Sequence, residues 1–575
     1  MLNKALLIDS LSSVEKIKKN REKYKDIKIC TTYTFIHLEC KKFKINCLDL
    51  NTLIKNDFIK KEYKNIDNYI EFLNELDNKN EISFNQSLPS LNCFFSLFRY
   101  EALIDFISLN ILIITLDEFI NMNKIECLEI QCENRKSNVF FNNIDFFEYV
   151  HEYLGKKNLK VKLEILGENY LEHYPKKNNL QKIIQNFFVN FLNIKFFFKN
   201  FILKKKINSL ILDQTFFYKQ IENDENFLIL KLKKKNVSKN NRSKFLIDEK
   251  INKIKRIDCK NPQLNFFKKK FCNHLNDNYA NYSNQINELN RIIDKYNIKK
   301  AYWFYPPNKA SINSLVASFL LKKKINVIGF QHGGTYGIFG SNDIVDKLHA
   351  LSDYFFCNKF YSYGNISLNK DLKLYSKSKL CNFEKIGSLN IKNFIKKKLK
   401  RNMILNKKIL FPVNLTSNLL DLKYNDTSSD RLKMVKEIFL EFQNKSYDII
   451  IKLYPNVSSK FIKEFYPVMS ILNEFKMFKK CELSLLDSLN KHKPSLVVID
   501  EISTPLYEAL PFDCEIFCLV NPLHDLKNDI YNKLKKRVYF FEDIDDFRKK
   551  LELFFEGKLE KKKNNSFLNS EVINT

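Results

Sequence analysis

Short apolar runs alternate with segments of helical periodicity along most of this chain. Ala5–Ile8, Ile27–Thr32 and Ile45–Leu48 are candidate strands, the first wholly apolar and the other two interrupted only by Lys28 and Asn46. A Lys/Glu-rich helix is expected near Val14–Tyr24. Further on, Ile125–Ile130 and Val161–Leu166 flank a helix near Ile144–Leu154, and Ile207–Leu212 adds a strand. A cleaner unit begins near Asn297: strand Lys300–Tyr305, helix Ala310–Leu321, strand Ile325–Gln331, then short strands at Ser352–Cys357 and Phe383–Ile386. A Lys-rich linker, Lys392–Lys408, precedes a second series: Ile409–Val413, Asp448–Leu453, Leu496–Ile499, Glu515–Val520 and Val538–Phe541. Helices Ser429–Gln443 and Ser503–Leu510 fit between these strands. The stretch Leu50–Met122 gives no clear pattern beyond a polar helical tendency.

Strand–helix alternation predicts an α/β protein with parallel sheets covered by helices on both faces. The expected division is an amino-terminal Rossmann-like domain with helical insertions (1–395), a second Rossmann-like domain (396–558) and a disordered tail (559–575). At 575 residues there is chain enough for two cores.

Composition changes that picture in three ways. The net charge of +30 suggests a polyanionic partner, yet only 10 of the 96 basic residues are arginine. Arginine is the residue that reads phosphates and base edges bidentately, so nucleic acid is a poor fit; an anionic membrane or substrate stays compatible. The 13 cysteines include no CxxC pair, which suits a reducing cytoplasm and argues against disulfides or a zinc site. The first apolar run is too short for a signal peptide and no stretch has the length of a spanning helix. A cytoplasmic location is expected, at most peripheral to the inner face of the membrane. The Phe-rich stretch Asn186–Lys206 is the candidate contact, although its apolar residues run nearly all round a helix and so favour burial.

Candidate chemistry lies at three strand ends, where ligands bind on this architecture. Five of the ten glycines fall in 329–340, around Gln331-His332-Gly333-Gly334 and Tyr336. Here His332 is suited to general-base work at neutral pH, and the glycines to close approach of a ligand. The strand Ile449–Leu453 ends in Lys452, Tyr454 and Pro455; Lys452 can neutralise a phosphate, with Tyr454 hydrogen-bonding it. The third site is Asp500, followed by Ser503 and Thr504 capping a helix with Pro505 in its first turn. That helix start can receive phosphate, and Glu508 is available for a ribose diol. No clustered ligand set calls for a metal or another cofactor.

The segments GFQHGGTYG (329–337), KIGSLNI (385–391), IIKLYPN (450–456) and IDEISTPLYEAL (499–510) together resemble the leptospiral-type surface-polysaccharide transferases. More distantly they are similar to CDP-glycerol glycerophosphotransferases and capsule Kdo transferases. The resemblance implies a GT-B-like enzyme, with two Rossmann-like domains facing across a cleft, the first on the acceptor side and the second holding a nucleotide-activated donor. It implies metal-independent transfer of a glycosyl or glycerol-phosphate group, from a CMP- or CDP-linked donor among others, to a glycan or lipid-linked glycan. By the same resemblance His332 is catalytic, Ser503 and Thr504 hold the donor phosphate, and Glu508 matches the glutamate of the relatives' Glu-Ala-Leu segment. Gly333, Gly334, Lys452 and Tyr454 complete the donor side, with Gln331, Tyr336, Gly387, Ser388 and Asp500 in support. Two departures stand out. Tyr454-Pro455 replaces the relatives' His-Pro, and the spacing from Asp500 to Ser503 is one residue longer than in the glycerophosphotransferases. The alternatives are a nucleotide-sugar epimerase or hydrolase on the same fold, and a membrane-peripheral scaffold whose cleft has decayed.

Overall fold

The computed structural model describes residues 3–79, 82, 88–134, 143–168, 207–212, 227–230, 251–256, 259, 261–303, 311–340, 343–366, 381–397, 405–413, 428–443, 446–453, 468–475, 477–521 and 523–574. Three sheets, all parallel, organise these residues. The first contains β1 (Lys4–Ile8), β2 (Lys28–Thr31), β3 (Cys47–Asp49), β4 (Cys127–Asn134) and β5 (Lys160–Glu168), in the order β3-β2-β1-β4-β5. The second contains β6 (Ser209–Ile211), β7 (Phe227–Ile229), β8 (Lys300–Trp303), β9 (Asn326–Phe330), β10 (Lys359–Ser362) and β11 (Asn382–Lys385), in the order β11-β10-β9-β8-β6-β7. The third contains β12 (Asn406–Pro412), β13 (Asp448–Lys452), β14 (Lys479–Cys481), β15 (Pro494–Ile499), β16 (Glu515–Leu519) and β17 (Tyr539–Phe541), in the order β14-β13-β12-β15-β16-β17. That last order, 3-2-1-4-5-6, is the doubly wound dinucleotide-binding order, with its switch point between β12 and β15.

The amino-terminal region therefore holds two sheets where the sequence suggested one domain. The second and third sheets form the facing GT-B-like pair, and the first is an additional layer. Between the first and second sheets lie the helices Asn56–Lys64, Ile66–Lys79, Cys93–Phe98, Glu101–Asn123 and Pro262–Tyr296. Asn261 caps the last of these, accepting from the N–H of Gln263 at 2.8 Å, with Pro262 in the first turn. The rings of Phe98 and Phe271 stack 4.0 Å apart in this layer. One continuous apolar cluster runs from β1 through these helices and the second sheet to one face of the third, reaching Leu410, Ile450 and Val497. Ile409, Phe411, Ile449 and Ile451 point the other way, into a separate core under Ser428–Phe442 and Ile544–Phe555. Strands buried on both faces explain why these segments read as continuous apolar runs.

Several expectations are corrected. Ser352–Cys357 is a helix end and a short turn of helix, not a strand; the strand is β10, seven residues later. Part of the expected linker folds as the helix Leu389–Lys397, whose Phe394 is buried against Phe512. The tail expected to be disordered is packed: Phe567, Leu568, Val572 and Ile573 are buried, and Lys533 Nζ pairs with Glu571 at 2.6 Å. All 13 cysteines are free thiols. The segments Asn186–Lys206 and Lys234–Arg242 lie outside the described residues. Among those described, no helix is long and apolar enough to cross a membrane.

Candidate active site

Strand β9 delivers Gln331 and His332 to its carboxyl end, and the glycine-rich loop carries them onto the third sheet. Gln331 is a brace: Nε2 donates to Gly333 O at 2.7 Å while Oε1 accepts from Tyr363 N–H at 2.7 Å. Gly334 N–H donates to Thr504 Oγ1 at 3.1 Å. A Cβ on Gly334 would stand 3.0 Å from Thr504 N and 3.1 Å from the Ser503 carbonyl, so only glycine allows this approach. The loop is pinned further along as well. Gly340 N–H donates to Asp525 O at 2.7 Å, Lys527 Nζ to Gly337 O at 2.7 Å, and His524 Nδ1 lies 3.1 Å from Asp343 Oδ2. Asp343 meanwhile caps the helix Ile344–Ser352, accepting from Val345 N–H at 2.8 Å.

His332 is half-buried and its Nδ1 lies 2.9 Å from Tyr336 Oη. Tyr336 Oη donates in a short hydrogen bond to Asp353 Oδ2. Nε2 of the ring lies 3.3 Å from the same hydroxyl, so both nitrogens face Tyr336; with the Tyr336 proton given to Asp353, the nearer one, Nδ1, is the donor when the ring is neutral. Asp353 is 1% exposed; Ser352 Oγ donates to its other oxygen at 2.6 Å. Burial pushes its carboxyl up, opposed by His332, Ser352, Tyr336 and Arg99. Arg99 reaches this point from the helical layer, fully enclosed, donating to Leu351 O at 2.6 Å and lying 3.9 Å from the Phe356 ring centre. Burial brings Arg99 down to about 9. The Tyr336 ring is stacked on His349 at 3.7 Å, and burial beside His332 drives His349 down to about 3, so that it stays neutral. The result is an imidazole, a hydroxyl and a buried carboxylate in one hydrogen-bonded line, with the charge of Arg99, from another layer, acting to lower the carboxyl of the third. Asp353 and Arg99 were not legible in sequence, because their partners are 17 and more than 250 residues away.

On the third sheet, Ser503 is the N-cap of the short helix Thr504–Ala509; its hydroxyl donates to Glu501 O at 3.3 Å and makes no cap bond. Lys452, at the end of β13, is buried and turns its Nζ onto Leu453 O at 2.6 Å. Burial lowers Lys452 while Glu508 raises it. Burial pushes Glu508 up to about 7, against the opposing pull of Lys452. These two face each other near the switch point without a direct ion pair among the described residues. Tyr454 lies outside the described residues.

Three of the supporting residues make structural contacts. Asp500 is 2% exposed beside the buried guanidinium of Arg431, whose Nε is 3.5 Å from Asp500 Oδ2. Gly387, with φ +74°, would meet Ile573 O at 2.6 Å if it carried a Cβ. Ser388 N–H donates to Val572 O at 2.6 Å. Gly387 and Ser388 thus receive the carboxy-terminal segment. Among the described residues no group of three or more His, Cys, Asp or Glu is placed to hold a metal ion.

A family model described as LIC12162 family transferase matches residues 99–544. The chain belongs to that family. No curated protein matches it. Among solved structures this transferase is similar to S. aureus MnaA with UDP, at 11% identity and a TM-score of 0.37, over 64% of this chain and 92% of that one. It is also similar to the UDP-GlcNAc 2-epimerase of Methanocaldococcus jannaschii, at 14% identity and a TM-score of 0.34, over 76% and 94% of the two chains. A glycosyltransferase of Rickettsia africae matches at 12% identity and a TM-score of 0.34, over 67% and 90%.

Proposed function

We propose that this transferase moves a glycosyl or glycerol-phosphate group from a nucleotide-activated donor to a carbohydrate acceptor in cell-surface polysaccharide synthesis. The observation that carries the proposal is the line His332–Tyr336–Asp353 opening beside Thr504, at the strand ends of two facing sheets. In this reading His332 Nε2 takes the proton of an acceptor hydroxyl, whose oxygen attacks the donor carbon or phosphorus as the bond to the nucleotide breaks. Tyr336 and Asp353 fix the tautomer and offset the positive charge that forms on the ring, as a buried carboxylate does for other catalytic histidines. Lys452 balances charge on the departing phosphate, with Ser503 and Thr504 beside it, and Glu508 holds the ribose. Because Gly334 occupies Thr504 Oγ1 in this structure, donor phosphate that engages Thr504 displaces that N–H or shares the hydroxyl with it. In this reading the reaction needs no metal.

The test is nucleotide release from CMP-, CDP-, UDP- and GDP-linked donors, with and without a glycan extract of the cell envelope. The proposal expects release that depends on the extract, survives EDTA and disappears in His332→Ala. Release without acceptor, with an isomerised or freed sugar, would make the protein an epimerase or hydrolase. No release from any donor would favour a decayed scaffold.

A further inference from the structure

Away from the cleft, four helices meet around a cavity of about 200 Å3. They are Asn56–Lys64, Ile66–Lys79, Glu101–Asn123 and the first turn of Pro262–Tyr296. The cavity's inner wall carries Glu62, which is 4% exposed. Oε2 of Glu62 accepts from Asn110 Nδ2 at 2.7 Å and from Asn65 Nδ2 at 2.9 Å. Among the described residues no cation pairs with this carboxylate, in a chain of net charge +30. A buried carboxylate is costly unless hydrogen bonds hold it, and the two amides hold only one of its oxygens. Asn110 is itself 7% exposed, and its Oδ1 has no partner among the described residues. Asn68, Asn261 and Gln263 add amide groups nearer the mouth; Phe106, Ile114 and Leu264 make the apolar part of the wall.

We infer that this cavity binds one unit of a polyhydroxylated ligand, a sugar or a polyol. Each hydroxyl both donates and accepts, and so does each amide, so a wall of amides around one carboxylate matches hydroxyl groups. Glu62 accepts from the most deeply placed hydroxyl, and the C–H face of the ligand lies on Phe106. An ammonium ligand would meet amide N–H groups as well as acceptors, and a phosphate would be repelled by Glu62. The site is distinct from the transfer cleft. Asp67, on one of the surrounding helices, lies 3.4 Å from Lys347 on the helix Ile344–Ser352.

The inference does not depend on the transfer reaction and is tested by binding alone. Saturation-transfer NMR on the full chain would use glycerol, ribitol, glucose, galactose and N-acetylglucosamine as probes at millimolar concentration. At least one probe is expected to bind, with affinity unchanged in His332→Ala, lowered about tenfold or more in Glu62→Ala, and abolished in Ile114→Trp, which fills the cavity. If Glu62→Ala does not fold, Asn68→Ala, at the exposed mouth, is expected to weaken binding with its melting temperature unchanged. The inference is overturned if no probe binds the wild type. It is equally overturned if Ile114→Trp and Asn68→Ala bind as the wild type does, or if His332→Ala abolishes binding. Loss of transfer in His332→Ala with probe binding intact would separate this site from the cleft.

Discussion

The proposed reaction turns on one imidazole and what holds it. Replacing His332 by Ala is expected to lower kcat by about 10²–10⁴, the usual worth of a general base. Tyr336→Phe keeps the ring stacked on His349 but breaks the relay, and Asp353→Asn keeps the shape but removes the charge. Both should lower kcat with little change in KM and shift the acidic limb of the pH–rate profile, whereas a merely structural role would leave the profile in place. Asp346 carries a separate prediction. Burial raises it from its ordinary 3.8 to about 7, although Lys527 and the N–H of Gly337 oppose the shift. A carboxyl raised in the folded state stabilises the fold most below its unfolded value, and that contribution is lost as pH rises toward about 7. Asp346→Asn should therefore flatten the fall in melting temperature between about pH 4 and pH 7. An unaltered slope would show that the group is not buried with its proton.

At the scale of elements, the sheets were legible and their helical filling was not. Continuous apolar runs such as Ile449–Leu453 and Leu496–Ile499 announce strands buried on both faces, and β13 and β15 lie there. Glu101–Asn123 gave no periodicity because it is enclosed nearly all round, so no polar face marks it. The glycine cluster and His332 could be read, since five glycines in one short window are unusual in this chain. What the glycines do could not, because Gly334 is required by a helix start 170 residues away. Gly334→Ala should loosen the junction of the second and third sheets, since its Cβ meets backbone that cannot yield. Limited proteolysis would show faster cleavage in 331–340 and 521–527; an unchanged rate would mean that the contact is not what joins them.

For the whole molecule, the carboxy-terminal segment matters most to how the parts stay together. It leaves the third sheet's layer after Phe555 and returns to the second sheet, where Gly364, Gly387 and Ser388 receive it. The sequence suggested a disordered tail here because Glu560–Asn565 is polar, and only the five residues Phe567, Leu568, Glu571, Val572 and Ile573 bury side chains. Phe567→Ala should cost about 3–5 kcal/mol, as large-to-small changes at fully buried aromatics do, and lower the melting temperature measurably. A melting temperature equal to the wild type would return the segment to the status of a tail.

The central claim is that a nucleotide-activated donor sits between the two facing sheets. Thermal shift of the full chain with CMP, CDP, UDP, GDP and ADP, each with and without EDTA, tests it most directly. The account predicts stabilisation by one nucleotide, unchanged by EDTA and lost in Lys452→Ala and Ser503→Ala. No shift with any nucleotide, or a shift that both variants retain in full, would contradict it.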